Sequence, residues 1–363
     1  MRLLFLCKRR PQGRDLLTRP YGRFFYLPYY LAQRGHDVTL LLLDYRPCNF
    51  THRHAHGIEW FSVGLHPLKQ SNGPIAYFRQ AETLVKRQPP DWIIGCSDTW
   101  YGILATYLGE RYCVKTLIDA YDNYEGYIPW FKPLHWVWRH SLQRCTAISA
   151  AGPELAELMS RGRVKNVATV IPMAADPIFQ PLNGINFRKR FELSEEVPLV
   201  GYCGSLYKNR GPESLFQAME YLLNWIPEAK LVISGRREKH VQIPAQIRHA
   251  VIELGYLPDE EMPMIINAMD VLLVINLQSA FGNYSYPVKL YEAMKCRKTV
   301  VASNSAGASW ILRNHPECLV DTNNPMDLAK HIRDALPLKT KEYNSDQDWE
   351  FSAGILENLL KSL

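Results

Sequence analysis

No stretch of this sequence reaches the roughly 18 consecutive apolar residues of a membrane-spanning helix. Nor does it contain a C-x-x-C pair, a short internal repeat or a low-complexity tract. Its eight cysteines, at 7, 48, 96, 113, 145, 203, 296 and 318, are scattered, mostly inside apolar runs. That pattern excludes a disulfide scaffold and a thiol-rich metal site, and predicts reduced, buried thiols of a cytoplasmic protein. The opening MRLLFLCKRR does not read as a signal peptide, because its short apolar run precedes the charge cluster instead of following it. Strong charge is missing too. The 42 Lys and Arg against 36 Asp and Glu leave +6, too little to argue for nucleic acid. An anionic small ligand, or peripheral contact with an anionic membrane at its inner face, remains compatible.

What is present is ordinary globular composition, 47% hydrophobic and 21% charged over 363 residues. That length suggests two domains. Leu3–Cys7 is a short apolar run fit for a buried parallel strand. A basic, glycine-containing loop follows, then a helix over Phe24–Arg34 ending at Gly35, then a strand at Val38–Leu43. Further strands are predicted at Trp60–Val63, Trp92–Gly95, Thr116–Ile118, Ala147–Ser149 and Thr169–Ile171, with helices over Tyr77–Lys86, Gly102–Leu108 and Glu154–Arg161. AADPIFQPLNG (Ala174–Gly184) reads as a linker.

A second α/β series begins at Leu199–Cys203. Its further strands are Ala229–Ser234, Val251–Leu254, Asp270–Ile275 and Thr299–Ala302. Its helices are Glu213–Leu223, Glu260–Ala268 and Lys289–Lys295, and Trp349–Leu360 forms a final amphipathic helix. The chain is thus two Rossmann-like halves: residues 1–178, completed by 347–363, and residues 185–346. Ligands of open α/β sheets bind beyond the carboxyl ends of the strands, so the cleft between the halves is the expected site.

The most informative segment is YPVKLYEAMKCRKTVVASNSAG (Tyr286–Gly307). Lys289 and Glu292 are three apart and share a helical face. A lysine in the first turn of a helix, beside free N–H groups, suits a phosphate, and a carboxylate one turn on suits the two hydroxyls of a ribose. A surface ion pair is the alternative.

This segment resembles the C-terminal signature of the family 4 retaining glycosyltransferases, also called glycosyl transferases group 1. Glu292, Ala293, Met294, Val300, Val301, Ala302, Ser303 and Gly307 match its pattern. The first glutamate of the family's E-x7-E falls at Tyr284, and Cys296-Arg297-Lys298 departs from the usual small-Gly-x-Pro. VGYCGSLYKNRG (Val200–Gly211) resembles the strand and loop that hold the donor diphosphate. There Ser205 replaces the usual arginine and Arg210 stands at the usual lysine, with Lys208 beside it. ELGYLPDEE resembles the turn that holds the nucleobase, at Tyr256 and Leu257. Arg34-Gly35-His36-Asp37-Val38 matches the R-G-H-x-V that ends the first helix.

The resemblance implies the GT-B fold, with two Rossmann-like domains facing across a cleft and a C-terminal helix returning to the first domain. It implies a nucleoside-diphosphate sugar as donor substrate, UDP being the base-rate choice, a hydroxyl acceptor, retention at the anomeric carbon, and neither a cofactor nor a metal. Donor contacts are expected at Gly13, Ser205, Lys208, Arg210, Tyr256, Leu257, Gly282, Asn283, Tyr284, Ser285, Lys289 and Glu292, with Phe281 as a further backbone candidate. The acceptor-side histidine of many members is replaced by Asp119, Asp122 and Asn123. Asp122, with Asp98, is therefore the candidate catalytic polar group beside Arg210, loop capping being the alternative. A 2-epimerase of the same fold and an inactive nucleotide-binding homologue acting as a scaffold are the competing readings.

Three features remain. Seven Lys and Arg stand among the first 23 residues against one Asp, which suits a diphosphate, an anionic acceptor or a membrane surface. His52, His54 and His56 alternate, without carboxylates or cysteines to complete a metal site. Tyr121–His140 carries seven aromatics, for which core packing is favoured over an exposed face touching a lipid-linked acceptor.

Overall fold

The computed structural model describes residues 1–65, 72–163, 167–276, 282–343 and 347–363. The side chains of Gln12, Asn72, Asn209 and Asn283 are also outside the described set. The chain divides into two units, Met1–Ala174 with Asp346–Leu363, and Ala175–Ser345.

The first unit runs β1 (Arg2–Lys8), α1 (Arg23–Gln33), β2 (Asp37–Pro47), β3 (Thr51–Ala55), β4 (Ile58–Leu65), α2 (Asn72–Arg87), β5 (Trp92–Cys96), α3 (Thr99–Tyr112), β6 (Lys115–Ala120), α4 (Lys132–Arg144), β7 (Ala147–Ala150), α5 (Pro153–Ser160) and β8 (Thr169–Val170). Its strands lie in the order β3-β4-β2-β1-β5-β6-β7-β8. All pairs are parallel but β3–β4. Parallel strands covered on both faces read as unbroken apolar runs, and Leu3 to Cys7 are all buried. The edge strand β3 was invisible to that signal because its sequence, THRHA, is polar. There the histidines find structural partners: His52 and His54 lie 2.7 and 3.0 Å from the Glu59 carboxylate, and His52 stacks on Phe61.

The second unit runs α6 (Ile185–Arg190), β9 (Leu199–Cys203), α7 (Pro212–Trp225), β10 (Lys230–Ser234), β11 (Val251–Gly255), α8 (Met262–Ala268), β12 (Val271–Val274), α9 (Val288–Lys295), β13 (Thr299–Ser303), α10 (Ala306–Ile311), β14 (Leu319–Val320) and α11 (Pro325–Ala335). The all-parallel sheet has the order β11-β10-β9-β12-β13-β14. The small residues after β13 open α10, whose start is capped by the Ser305 hydroxyl.

The last helix, α12 (Trp349–Ser362), belongs to the first unit, where it packs on α1. Trp349 is buried and stacks on Tyr26 with ring centroids 5.9 Å apart. Glu357 accepts from Lys361 (2.6 Å) and Arg34 (2.9 Å) and pairs with His36 (2.9 Å). These bonds hold its carboxyl down to about 2. A carboxylate depressed in the folded state lends stability that is complete above about pH 5 and lost as pH falls toward 2. Glu357→Gln is expected to flatten the wild-type fall in Tm between about pH 5 and 3, in melts taken across that range.

Each unit contains a buried Arg–Asp pair. Arg23, at the start of α1, donates to Asp119 at 2.8 and 2.7 Å and to the Ile171 carbonyl at 2.7 Å, while Ser149 donates to the same carboxylate at 2.6 Å. In the second unit Arg188 and the Leu199 N–H both donate to Asp270, at 2.9 and 2.8 Å.

Candidate functional sites in the two units

In both sheets the connections reverse direction beside the first strand. Chain crossovers there leave a crevice at the carboxyl ends, between β1 and β5 in one unit and β9 and β12 in the other.

At the crevice of the first unit, β5 ends in Cys96 and the chain turns through Ser97, held at φ 75°. The Ser97 hydroxyl accepts from the Lys8 N–H at 3.0 Å, joining the β1 and β5 ends. Asp98 caps α3 through the Thr99 N–H at 2.8 Å and lies 3.9 Å from the Lys8 ammonium. One strand over, Asp122 is buried and accepts from the Tyr127 hydroxyl at 2.6 Å. Burial and the nearby Asp122 carboxylate raise the Tyr127 phenol, and Asp98 acts on it in the same direction. Asp98 and Asp122 thus belong to one electrostatic neighbourhood. Asp119 does not join them at the surface, since it is the buried partner of Arg23.

The basic N-terminal loop differs from its reading as an open anion-binding surface. Arg9 donates to Asp15 at 2.9 and 2.8 Å, and Arg10 lies 2.8 Å from Asp15 and 3.2 Å from Asp44. Burial pushes the Asp15 carboxyl up, but its bonds from Arg9 and Leu17 outweigh that and leave it lowered. With Arg23 on Asp119 and Lys8 near Asp98, four of the seven cations are matched by acids of this unit. Three of those acids lie outside the loop, so its composition overstated its charge. Gly13 is exposed at the end of a short 3-10 turn, Pro11–Gly13.

At the crevice of the second unit, the loops after β9 and β12 meet. Arg210 donates to the Asn276 side-chain oxygen. Asn276 is itself buried, and its N–H donates to Ser303 at 2.8 Å, which donates to Thr322 at 3.3 Å. Lys289, on the first turn of α9, donates to the Cys203 carbonyl. Gly204 makes this possible. Its φ is 141°, and a Cβ there would overlap the Lys289 ammonium. Burial raises the Cys203 thiol, opposed by Lys289 and reinforced by Glu292. Burial pushes the Tyr202 phenol up to about 12 against the pull of Arg210. Two cations therefore lie at the carboxyl end of β9.

Ser205 accepts from the Tyr202 hydroxyl through its carbonyl at 3.3 Å. Lys208 is exposed, and its N–H donates to Glu238 at 3.1 Å. Gly282 and Tyr284 bound a 3-10 turn leading to Ser285, and Gly307 has no room for a Cβ because the Ser285 carbonyl lies against it. Phe281 and the side chain of Asn283 lie outside the described residues.

At the ends of β10 and β11, the Gly235 N–H donates to the Gly255 carbonyl at 2.6 Å. Tyr256 follows, 58% exposed, with the Arg236 guanidinium 5.4 Å from its ring centre. Leu257 beside it is half-buried. Arg236 and Asn276 were missed in the sequence. Neither belongs to a motif, and the strand order brings them to the crevice. No group of three metal-ligating side chains occurs among the described residues.

A family model described as glycosyl transferases group 1 matches residues 197–337, and one described as glycosyl transferase 4-like domain matches 27–174. The chain belongs to the group 1 glycosyltransferases. Among curated relatives, the 2-deoxystreptamine glucosyltransferase of Streptomyces kanamyceticus is 24% identical over 210 residues, 54% of this chain and 53% of that protein. The D-inositol 3-phosphate glycosyltransferase of Corynebacterium jeikeium is 25% identical over 198 residues, 48% of this chain and 46% of its own length. The matches thus span about half the length of these family members. Among solved structures, Anabaena HepE in complex with UDP superposes with a TM-score of 0.74 at 15% identity, covering 100% of each chain. Sucrose-phosphate synthase from Thermosynechococcus elongatus gives 0.69 at 17%, covering 99% of this chain and 98% of that one. The fold is the GT-B fold of those enzymes.

Proposed function

We propose that this protein transfers a sugar from a UDP-sugar to a hydroxyl acceptor, with retention at the anomeric carbon. The observation that carries the donor half is the pair of cations, Lys289 and Arg210, at the end of β9 beside a glycine that leaves the backbone open. The UDP bound to Anabaena HepE and the glucosyltransferase among the relatives support the choice of base and sugar class.

In this reading α9 offers its first-turn N–H groups and Lys289 to the diphosphate, Glu292 holds the ribose, and Tyr256 with Leu257 carries the base. Arg236, stacked on Tyr256, extends that platform. Gly282, Asn283, Tyr284 and Ser285 contact the sugar and distal phosphate, with Ser205 and Lys208 at the rim. As the glycosidic bond breaks, negative charge grows on the leaving diphosphate. Fixed cations lower the barrier because they meet more charge in the transition state than in the ground state. Protein cations then do the work that a divalent metal does elsewhere. Asp98 and Asp122 are the acceptor-side groups that orient the attacking hydroxyl. The acceptor class is a glycan, a lipid-linked sugar or a small molecule.

The test is a thermal-shift panel of UDP, GDP, ADP and dTDP with their sugars, with and without EDTA. A Tm rise with UDP alone, unchanged by EDTA, is the expected result. Gly204→Ala, which must displace Lys289, should weaken UDP binding roughly tenfold or more while the apoprotein stays folded. A rise with another base, or with none, overturns the UDP assignment.

A further inference from the structure

The seven aromatics of Tyr121–His140 do not all enter the core. Tyr124 and Trp138 do, with ring centroids 5.6 Å apart, and Tyr121 packs against Phe24 and Tyr124. The others turn outward. Trp130 is 77% exposed and Trp136 is 70% exposed, with Tyr127, Phe131 and Val137 exposed around them. The favoured core packing is therefore corrected for half the run. The cause is helical phase. On α4, Leu134, His135, Trp138, Ser141 and Leu142 face inward, which leaves Lys132, Trp136, Arg139 and His140 on the opposite side.

Large aromatics are costly to leave in water, and soluble surfaces rarely cluster them. Along the chain itself, the charge of this stretch has one sign. Between Gly126 and Arg144 the sequence has no acidic residue, against Lys132, Arg139 and Arg144. Lys132 makes no ion pair among the described residues and sits between Phe131 and the next turn, which carries Trp136. Arg139 pairs with Glu125, and Arg144 with Glu110, so Lys132 is the cation on which the face relies. A tryptophan is apolar in its body and donates one N–H at its tip, the combination found at the headgroup level of bilayers.

We propose that this face, from Tyr127 to His140, docks the protein on an anionic phospholipid surface, with Trp130 and Trp136 entering the headgroup boundary and Lys132 facing lipid phosphates. The N-terminal basic loop lies outside this face, and its Arg9 and Arg10 are matched by Asp15 and Asp44. The proposal does not depend on the donor reading.

The test is co-sedimentation of the full chain with vesicles of phosphatidylcholine alone or mixed with phosphatidylglycerol, at low and high salt. The expected result is binding to the phosphatidylglycerol vesicles, weakened by salt, with quenching of tryptophan emission by brominated lipid. Trp130→Ser with Trp136→Ser is expected to lower partitioning roughly tenfold or more, and Lys132→Glu several-fold, with Tm unchanged. Both tryptophans are exposed, so a misfolded variant is not expected, and the melt checks it. Equal binding by the double variant, or no binding of the wild type at low salt, overturns the proposal. So does a wild-type dimer, seen by light scattering, that the double variant dissociates while neither protein binds vesicles. The occupant would then be a second copy of this chain.

Discussion

Arg210→Ala is expected to lower kcat for sugar transfer about a hundred- to a thousandfold, ~3–4 kcal/mol of lost transition-state stabilisation. The loss should fall more on kcat than on KM, because the diphosphate gains charge as the bond to the sugar breaks. Arg210 is not a mobile surface cation. Asn276 accepts from it, and that asparagine is fixed through Ser303 to Thr322. The guanidinium is thus held in one orientation, and a charge fixed in advance is what such a reaction would need. Arg210→Lys should recover only part of the rate, since an ammonium cannot donate to Asn276 and to phosphate in the same planar geometry. Steady-state UDP release at saturating and limiting donor separates the two constants. An Arg210→Ala enzyme with wild-type kcat would remove Arg210 from the reaction.

Asp119→Ala is expected to destabilise the protein by about 3–5 kcal/mol, because it strands a buried guanidinium without its counter-charge. In a unit of this size that corresponds to a fall in Tm on the order of 10 °C for its transition. Ser149 loses its acceptor in the same step. Arg23→Leu with Asp119→Leu should recover part of the loss, because apolar residues avoid the stranded charge. Recovery stays incomplete, since the Ile171 and Pro172 carbonyls then lose the donor that Arg23 provided. Scanning calorimetry of the three proteins measures the effect. A single Asp119→Ala variant melting with the wild type would show that the pair contributes nothing net.

Much of the fold was legible because its strands are short, apolar and buried on both faces. Leu199–Cys203 and Val271–Val274 announce themselves in this way, and Gly204 marks the end of the first. The polar edge strand Thr51–Ala55 and the helix Ala306–Ile311 escaped because neither carries that signal. One shows water a row of polar side chains, and the other is too short for a period to repeat. In the second unit, the spacing of Lys289 and Glu292 made legible that they share one helix face. Asn276 was not, because its role rests on which strand lies beside β9. The N-terminal loop shows the same limit in reverse. Its cations are plain in the sequence, whereas the acids that match them, Asp44, Asp98 and Asp119, come from three later strand ends. Charge counted along a chain is local, but charge in a parallel sheet is settled where strand ends gather.

The return of α12 to the first unit sets an order for events at the ribosome. The strands of the first sheet emerge early, yet Trp349 and Glu357, which cover Tyr26 and hold Arg34, follow only after the whole second unit. At about 5–20 residues per second, that delay is on the order of ten to thirty seconds. Throughout it, α1 displays its aromatic face to water or to whatever chaperone meets it. The second unit, continuous in sequence, has everything it needs to fold during that wait. The half of the protein that is translated first is thus the half that is finished last.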